Sequence, residues 1–339
     1  MLKVGIVGFG FMGRMHHRCW KARDDARVTA ICDANPNIVE DSKKAVGNIS
    51  GAEAVDFGGI AVYQDLAAML ARERLDAVSI TLPTHLHPDS TAKALAAGVH
   101  VLCEKPMALT AEACDGMIAA ARSAGRVLQV GHCLRFWPEY IVARQIVEKG
   151  EHGRLVAASL RRLAATPAWS QDNWLLNEQR SGGVALDLHI HDADYVQHLL
   201  GLPRAVSAFG AKGPGGSVVH VAARYDYGEG GPLVVAEGGW VMAPSFGFEM
   251  SFNLVFEKAS IVFDCTRKPA FRVCPRQGEA FTPPMPEGDG YIRQIEHFVR
   301  AVRGEAVPPV ITLQQSRDSV RLVEAEKESI RAGRAVPLG

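Results

Sequence analysis

The chain has no uninterrupted apolar run approaching the roughly 20 residues needed to cross a bilayer, so a membrane-spanning helix is not expected. It has no surplus of either charge. Its 37 basic residues balance 37 acidic ones, and nothing in that balance calls for nucleic acid or an anionic membrane as a partner. It has no Cys-x-x-Cys pair. The seven cysteines (Cys19, Cys32, Cys103, Cys114, Cys133, Cys265, Cys274) are odd in number, and several sit in apolar runs such as "VHVLCEKP". They read as reduced thiols packed as small hydrophobes, not as a disulfide framework. Internal repeats and low-complexity tracts are missing too, which argues against a solenoid. A signal peptide is not expected, because Met1 runs straight into the strand-like "LKVGIVG". These absences point to a soluble cytoplasmic protein, and 339 residues suffice for two domains at roughly 100–200 residues each.

What is present falls into two textures. Over the first 130 residues, short apolar runs at 2–8, 27–33, 60–63, 76–81, 99–103 and 126–130 alternate with amphipathic stretches at 11–22, 36–46, 65–72, 88–97 and 110–124. Strands apolar on both faces, each followed by a helix, predict a parallel sheet covered on two sides. After about residue 132 come a helix at 138–149, a strand near 153–163 and a Trp-bearing loop at 165–180. Strand-like runs at 203–211, 217–227, 232–242, 249–256 and 259–264 then follow at close spacing, which predicts an antiparallel, α+β second half. A Pro- and Gly-rich loop at 275–289 and helices at 290–303 and 313–331 close the chain.

Residues 8–13, "GFGFMG", join the first strand to the first helix and fit G-x-G-x-x-G. Gly8 permits the tight turn, Gly10 lets backbone approach a pyrophosphate, and Gly13 lets helix and strand pack closely. With Phe11 and Met12 they place the phosphates on a helix N-terminus. Asp33 ends the second strand 20 residues after Gly13, where a carboxylate accepts from the ribose hydroxyls of NAD. The following Ala34-Asn35-Pro36 offers no arginine for a 2′-phosphate, so NAD is expected over NADP, although Lys43 or Lys44 leaves NADP possible. The alternative role for Asp33 is a helix N-cap. The expected architecture is a Rossmann dinucleotide-binding domain over 1–132, then an α+β domain over 133–339 built on a mainly antiparallel open sheet, for substrate binding and oligomerisation.

"CEKPMALT" at 103–110 follows the fifth strand, so Glu104 and Lys105 should reach the cofactor crevice beyond the carboxyl ends of the strands. A lysine there can donate to a substrate oxygen and stabilise an alkoxide as hydride leaves. Pro106 restricts Lys105 to an extended conformation.

At this point the chain resembles the glucose–fructose oxidoreductase, inositol dehydrogenase and MocA family of NAD(P)-dependent dehydrogenases. The resemblance rests on "GIVGFGFMGRMH", "TLPTHLHP" (81–88), "VLCEKPMAL" (101–109), "QVGHCLRFWPEY" (129–140) and "SGGVALDLHIHDADYVQHLLG" (181–201), in that order. It implies that Lys105 belongs to a Glu-Lys-Pro motif shared by cofactor and substrate sites, and that Leu82, Pro83 and His87 lie along the cofactor. It also implies that Asp187 and His191 are the family's Asp-x-x-x-His pair, with the histidine as acid/base. One departure is His189, where many members have glycine, and a larger side chain there is expected to reshape the pocket floor.

The stretch "LDLHIHDAD" at 186–194 also suits a His-x-His metal site if it is a strand. Its apolar residues argue for a helix: Leu186, Ile190, Ala193, Val196 and Leu200 recur at three and four, "LLGLP" supplies a stop, and Ser181 can cap the start. On a helix His189 and His191 diverge by about 200°, whereas Asp187 and His191 lie within about 40° and Asp194 continues that face. A carboxylate one turn from an imidazole can orient it and raise its basicity, giving a proton relay and no metal. Asp192 and His198 are expected to be solvated or structural.

Arg162, Asn173 and Trp174 are weaker candidates for substrate contacts. His85 and His87 form a second His-x-His without a third ligand nearby in sequence. The function expected is NAD-dependent oxidation of a sugar, inositol or related polyol, in a homodimer or homotetramer joined through the second sheet. The alternatives are an NADPH-dependent carbonyl or imine reductase, a metallohydrolase on the His-x-His pairs, and a non-catalytic dinucleotide sensor.

Overall fold

In β1 (Leu2–Val7) the last four residues are all buried, as a strand covered on both faces requires. The computed structural model describes residues 1–43, 55–167, 170–213 and 215–338, so Lys44 and part of the helix expected over 36–46 lie outside the described residues. From β1 the chain runs through α1 (Phe11–Lys21), β2 (Ala26–Cys32), α2 (Ile38–Asp41), β3 (Ala61–Tyr63), α3 (Leu66–Arg72), β4 (Ala77–Ile80), α4 (His87–Ala96), β5 (His100–Glu104), α5 (Ala111–Ala124) and β6 (Leu128–Gly131). Among the described residues these six strands form one parallel sheet in the order β3-β2-β1-β4-β5-β6. This is a doubly wound order, and its reversal between β1 and β4 sets the ligand crevice.

The second half begins with α6 (Pro138–Lys149), β7 (Leu155–Ala165), a short α7 (Glu178–Ser181) and α8 (Ile190–Leu200). It continues through β8 (Ala205–Lys212), β9 (Val218–Asp226), β10 (Leu233–Met242), β11 (Phe248–Phe256), β12 (Ala259–Asp264), β13 (Phe271–Pro275), α9 (Gly290–Val302), α10 (Leu313–Ala332) and β14 (Val336–Pro337). The described strands of this half form a sheet in the order β13-β12-β11-β7-β10-β9-β8-β14. It is mainly antiparallel, as expected, with β7 and β10 pairing in parallel. β13 and β14 were not anticipated. Each is too short to show a period, and β13 borders the Pro-rich loop.

Two features depart from the simplest reading of the helices. α8 is entered through a π-helical turn at Ala185–His189, and no side chain caps that turn. Ser181 does not cap the helix: its hydroxyl lies 2.7 Å from the Leu175 carbonyl and accepts from the Gly183 N–H. Gly182, at φ +81°, leads into the turn, and a Cβ there would stand 2.4 Å from the Leu186 side chain. The second feature is α9, whose Ile295, Phe298 and Val299 share a buried cluster with Val4, Ile6, Phe9 and Trp20. The chain thus returns near its end to cover a face of the first sheet.

The second sheet is amphipathic by alternation. In β10, Val234 and Ala236 are buried, while Leu233 and Val235 are 55% and 37% exposed. Period-two patterning of this kind puts one face on the core and leaves the other open.

One buried carboxylate ties the two halves together. Asp194 on α8 accepts from Arg135 Nε and Nη2, at 2.9 and 2.8 Å, and from Ser319 Oγ of α10 at 2.7 Å. Arg135 lies in the single turn after β6, so α8 and α10 are both fastened to the carboxyl end of the first sheet. The nearby cation and donors hold the Asp194 carboxyl below its usual range although burial opposes ionisation. Replacing Asp194 by Asn is expected to cost about 3–5 kcal/mol in chemical denaturation, because Arg135 is left buried without its anion. A loss under about 1 kcal/mol would show that the junction does not depend on this pair.

Candidate active site

The glycine loop has the spacing a dinucleotide needs, for a steric reason at each position. Gly8 has φ +86°, and a Cβ there would stand 2.9 Å from the Thr81 carbonyl oxygen. A Cβ on Gly13 would stand 2.2 Å from the Gly8 carbonyl oxygen, so only glycine lets α1 sit this close to β1. Gly10 is the contrast, since a Cβ there would meet no atom within 4 Å. The loop is therefore open on the side where backbone would approach a pyrophosphate, and no side chain caps α1. Asp33 sits on the rim of this opening: its Oδ2 accepts from Phe9 N–H at 2.6 Å and its Oδ1 from Asn35 N–H at 2.9 Å. It is not a helix N-cap, a position that Asn37 takes for α2. Lys43 is paired with Glu40, at 2.5 Å. The residues present fit NAD: Gly8, Gly10 and Gly13 would hold the phosphates and Asp33 would face the ribose.

Leu82 and Pro83 are half-buried in the loop after β4, beside Gly8. His87 is different from the expectation. It is buried, with Nδ1 2.9 Å from the Pro106 carbonyl and Nε2 2.8 Å from the Leu82 carbonyl. Both nitrogens face carbonyls of the two loops that border the crevice, and a neutral ring donates to one of them. Burial holds its pKa below the usual imidazole value despite these carbonyls. Glu104 is likewise turned inward. Its Oε1 lies 2.9 Å from His16 Nε2 of α1, and its Oε2 accepts from the Lys105 N–H. Burial opposes its ionisation, but the His16 hydrogen bond and the neighbouring positive charges bring its pKa below normal. Glu104 therefore supports the Lys105 backbone from beneath.

Lys105 is the residue that emerges. Its Nζ donates to the Asp187 carbonyl at 2.8 Å and to Asp187 Oδ1 at 3.2 Å. Both side chains keep some exposure, 13% for Lys105 and 17% for Asp187. The expected hydrogen bond from Asp187 to His191 is absent among the described residues, because the ammonium of Lys105 draws the carboxylate across the crevice. The imidazole of His191 has its Nδ1 buried without a partner. Its pKa lies well below the ordinary value, first through burial and then through the charges of Lys105, Arg162 and His132. The sequence argument that a carboxylate raises its basicity is thus overturned: burial dominates, nearby cations add to it, and the neutral form of His191 is favoured.

The other candidates fall in different places. Arg162 is buried and gives Nε and Nη2 to Asp192, at 2.8 and 3.2 Å, with Tyr140 Oη 3.2 Å from Nη2. It is committed to a core ion pair and reaches no substrate; Asp192 is fully buried and structural. His189 also departs from expectation. It lies against Gly238 of β10, where a Cβ would stand 2.8 Å from its own Cβ, and its Nε2 is 3.1 Å from Glu326 of α10. It fills space beneath α8 on the sheet side, not the pocket floor. Asn173, at φ +49°, is exposed and lines an open depression of about 650 Å³ with Leu176, Asn177, Glu178, Gln179 and Ser217. Trp174 is half-buried in the same turn. Neither Lys105, Asp187 nor His191 lines that depression. His85 is exposed while His87 is buried, and among the described residues no three histidine, cysteine or carboxylate side chains converge as metal ligands. Likewise, no helix is long and apolar enough to cross a membrane.

Sequence reasoning missed His132 as a neighbour of this site. It follows β6 as Lys105 follows β5, and the pairing of Glu104 with Gly131 sets the two side by side at the carboxyl ends of their strands. The same argument that singled out Lys105 identifies it.

Residues 2–132 match the family described as "Oxidoreductase family, NAD-binding Rossmann fold", and residues 140–262 match the "GFO/IDH/MocA C-terminal domain". The chain is 30% identical over 220 residues to 2,7-anhydro-N-acetylneuraminate hydratase of Escherichia coli, covering 63% of this chain but only 55% of that protein. It thus spans about half the length of that relative. It is 25% identical to inositol 2-dehydrogenase of Rhizobium meliloti, over 91% of each chain. Its fold is that of a levoglucosan dehydrogenase solved with NADH and levoglucosan, at a TM-score of 0.83 and 22% identity over 99% of each chain. With both halves matched, this chain belongs to the GFO/IDH/MocA oxidoreductase family, with an NAD-binding Rossmann domain as its first half.

Proposed function

We propose that this chain oxidises a hydroxyl group of a sugar, inositol or related polyol. The observation that carries the reading is the meeting of Lys105, Asp187 and a neutral His191 at the carboxyl end of β5, beside the glycine loop. When bound, NAD accepts the hydride. Lys105 donates to the substrate oxygen and stabilises the negative charge that grows on it as its proton departs. Asp187 keeps the Lys105 side chain aimed. His191 takes the hydroxyl proton, which a neutral imidazole can do near pH 7. In the reverse direction the same groups return the proton to a carbonyl, the chemistry of a reductase. The Asp33 carboxylate on the rim favours NAD over NADP, because it would repel a 2′-phosphate. The names of two similar proteins, an inositol dehydrogenase and a levoglucosan dehydrogenase, support the substrate class.

The outer face of the second sheet supports self-association. Phe209 is 75% exposed there, and Val235 and the Arg161–Glu249 pair line the same face. We propose that this face joins two copies in a homodimer, alone or within a homotetramer. Sedimentation should show an oligomer, and Phe209→Glu should shift it toward monomer; a monomeric native protein would sink the idea.

Two titrations test the site. Energy transfer from protein tryptophan to nicotinamide should show NADH binding more tightly than NADPH, and Asp33→Ser should weaken NADH about tenfold or more. Tighter NADPH in the native protein would overturn the role given to Asp33. In kinetics with the best polyol found, kcat/KM for oxidation should fall only as pH drops through the depressed pKa of His191. Lys105→Met should lower kcat by about 10²–10³. Removing that cation makes protonated His191 easier to form, so its pKa rises and the acid limb moves to higher pH. An unmoved acid limb would remove His191 as the base.

A further inference from the structure

Asp187 sits on a turn wound more widely than an α-helix, the π-helical Ala185–His189 at the mouth of α8. Such turns are rare and occur mostly as single insertions at functional sites. The local sequence does little to hold this one. No side chain caps it, and two glycines, Gly182 and Gly183, lead into it. Yet both oxygens of Asp187 reach Lys105 Nζ from here, the main-chain carbonyl at 2.8 Å and Oδ1 at 3.2 Å. A lysine aimed by a carbonyl is aimed by the backbone, so the winding of this turn sets where the ammonium lies.

Two neighbours on α10 grip the segment that carries the turn. Glu326 is fully buried, and its Oε2 lies 3.1 Å from Nε2 of His189, the last residue of the turn. An ionised carboxylate only accepts, so the nitrogen facing it carries a hydrogen. Tyr225 of β9 donates to Glu326 Oε1 at 2.7 Å and steadies the carboxylate from the sheet side. On its other side the ring rests on β10, where a Cβ at Gly238 would stand 2.9 Å from His189 Nδ1. Burial opposes charge on His189, but the Glu326 carboxylate outweighs it and raises the imidazole pKa. The contact is therefore one of charge as well as shape. Lys327 takes the other end: its Nζ donates to the Gly182 carbonyl at 3.2 Å and lies 2.7 Å from Glu178 of α7. The stretch 178–189 is thus held at its first residue, at Gly182 and at its last residue, with Asp187 between. Ser319, two helical turns before Glu326 on the same face of α10, holds Asp194 of α8.

We propose that Glu326, acting through His189, and Lys327 are positioning residues for Lys105: they fix the turn whose Asp187 aims the ammonium. The inference rests on the dehydrogenase reading above, in which Lys105 meets the substrate oxygen. Neither residue touches substrate, and no proton or electron passes through them. Their effect is geometric, and a displacement of about 1 Å at a reacting group can cost 10²-fold in rate.

The first measurement needs no substrate. Trace labelling with acetic anhydride, read by peptide mass spectrometry, reports how firmly Lys105 is held. Lys105 should label several-fold faster in Glu326→Leu than in the native protein, because Asp187 no longer restrains it. Ser329→Ala is the control, since Ser329 bonds Ala208 and Arg334 on the same helix, away from the turn. It should leave Lys105 labelling and kcat unchanged. With the polyol found in the screen, Glu326→Leu should bind NADH as the native protein does and lose about 10- to 100-fold in kcat. Glu326→Gln keeps an acceptor for Tyr225 and should recover most of that loss. Lys327 is partly exposed, so Lys327→Met should fold even if Glu326→Leu does not, with faster Lys105 labelling and kcat down about threefold. Native-like Lys105 labelling in the folded variants would overturn the proposal. An equal loss of kcat in Ser329→Ala would also overturn it, because that marks a general packing effect. A native protein that binds NADH but oxidises no polyol would overturn the dehydrogenase reading and this one with it. An active native enzyme whose Lys105 labelling is indifferent to both α10 substitutions would overturn this one alone.

Discussion

The buried ion pair between Arg135 and Asp194 is the constraint on which the site depends. Each partner alone would be an uncompensated charge in the interior, so the loop after β6 and helix α8 hold one another in place. Ser319 adds α10 to the same carboxylate. Because His191 and the π-helical turn bearing Asp187 belong to the α8 segment, their position over Lys105 follows from this junction. The turn that follows the first sheet and helix α8 meet through a pair of charges that neither could leave unpaired.

The remaining buried charges follow the same logic, and they explain why so few groups face the crevice. Arg162 is matched by Asp192, Glu326 by His189 and Tyr225, and Glu104 by His16. Each pair sets a buried charge or imidazole against a partner within the core. Lys105 and Asp187 are the pair left at the rim, partly exposed. Burial first, and then the surrounding cations, favour the neutral imidazole of His191, which is the state a proton acceptor needs. The chemistry of the crevice is thus set as much by the charges turned away from it as by those turned toward it.

Several expectations named the right neighbourhood and the wrong direction. His87 and Glu104 lie beside the crevice, as their motifs implied, but both spend their polar atoms on backbone or on His16. Arg162 ends near α8, yet Asp192 claims it. His189 stands two residues from His191 and on the other side of the helix, where Gly238 leaves room for the ring. A local pattern gives a residue its element and its face. It does not say which distant atom will compete for the side chain, and in a buried setting the nearest opposite charge wins.

The sequence by itself determined the strand order of the first half, its parallel sheet, the glycine loop with Asp33, and Lys105 at the end of a strand. These rest on periodicity, on glycine's steric freedom and on short-range spacing, all of which are local. Tertiary structure alone decided that Asp187 pairs with Lys105, that burial and nearby cations depress the pKa of His191, and that Asp194 pairs with Arg135. It also decided that α9 returns to cover the first sheet. Those outcomes depend on charges and apolar surfaces far apart in the chain, and only folding sets the distances over which they act.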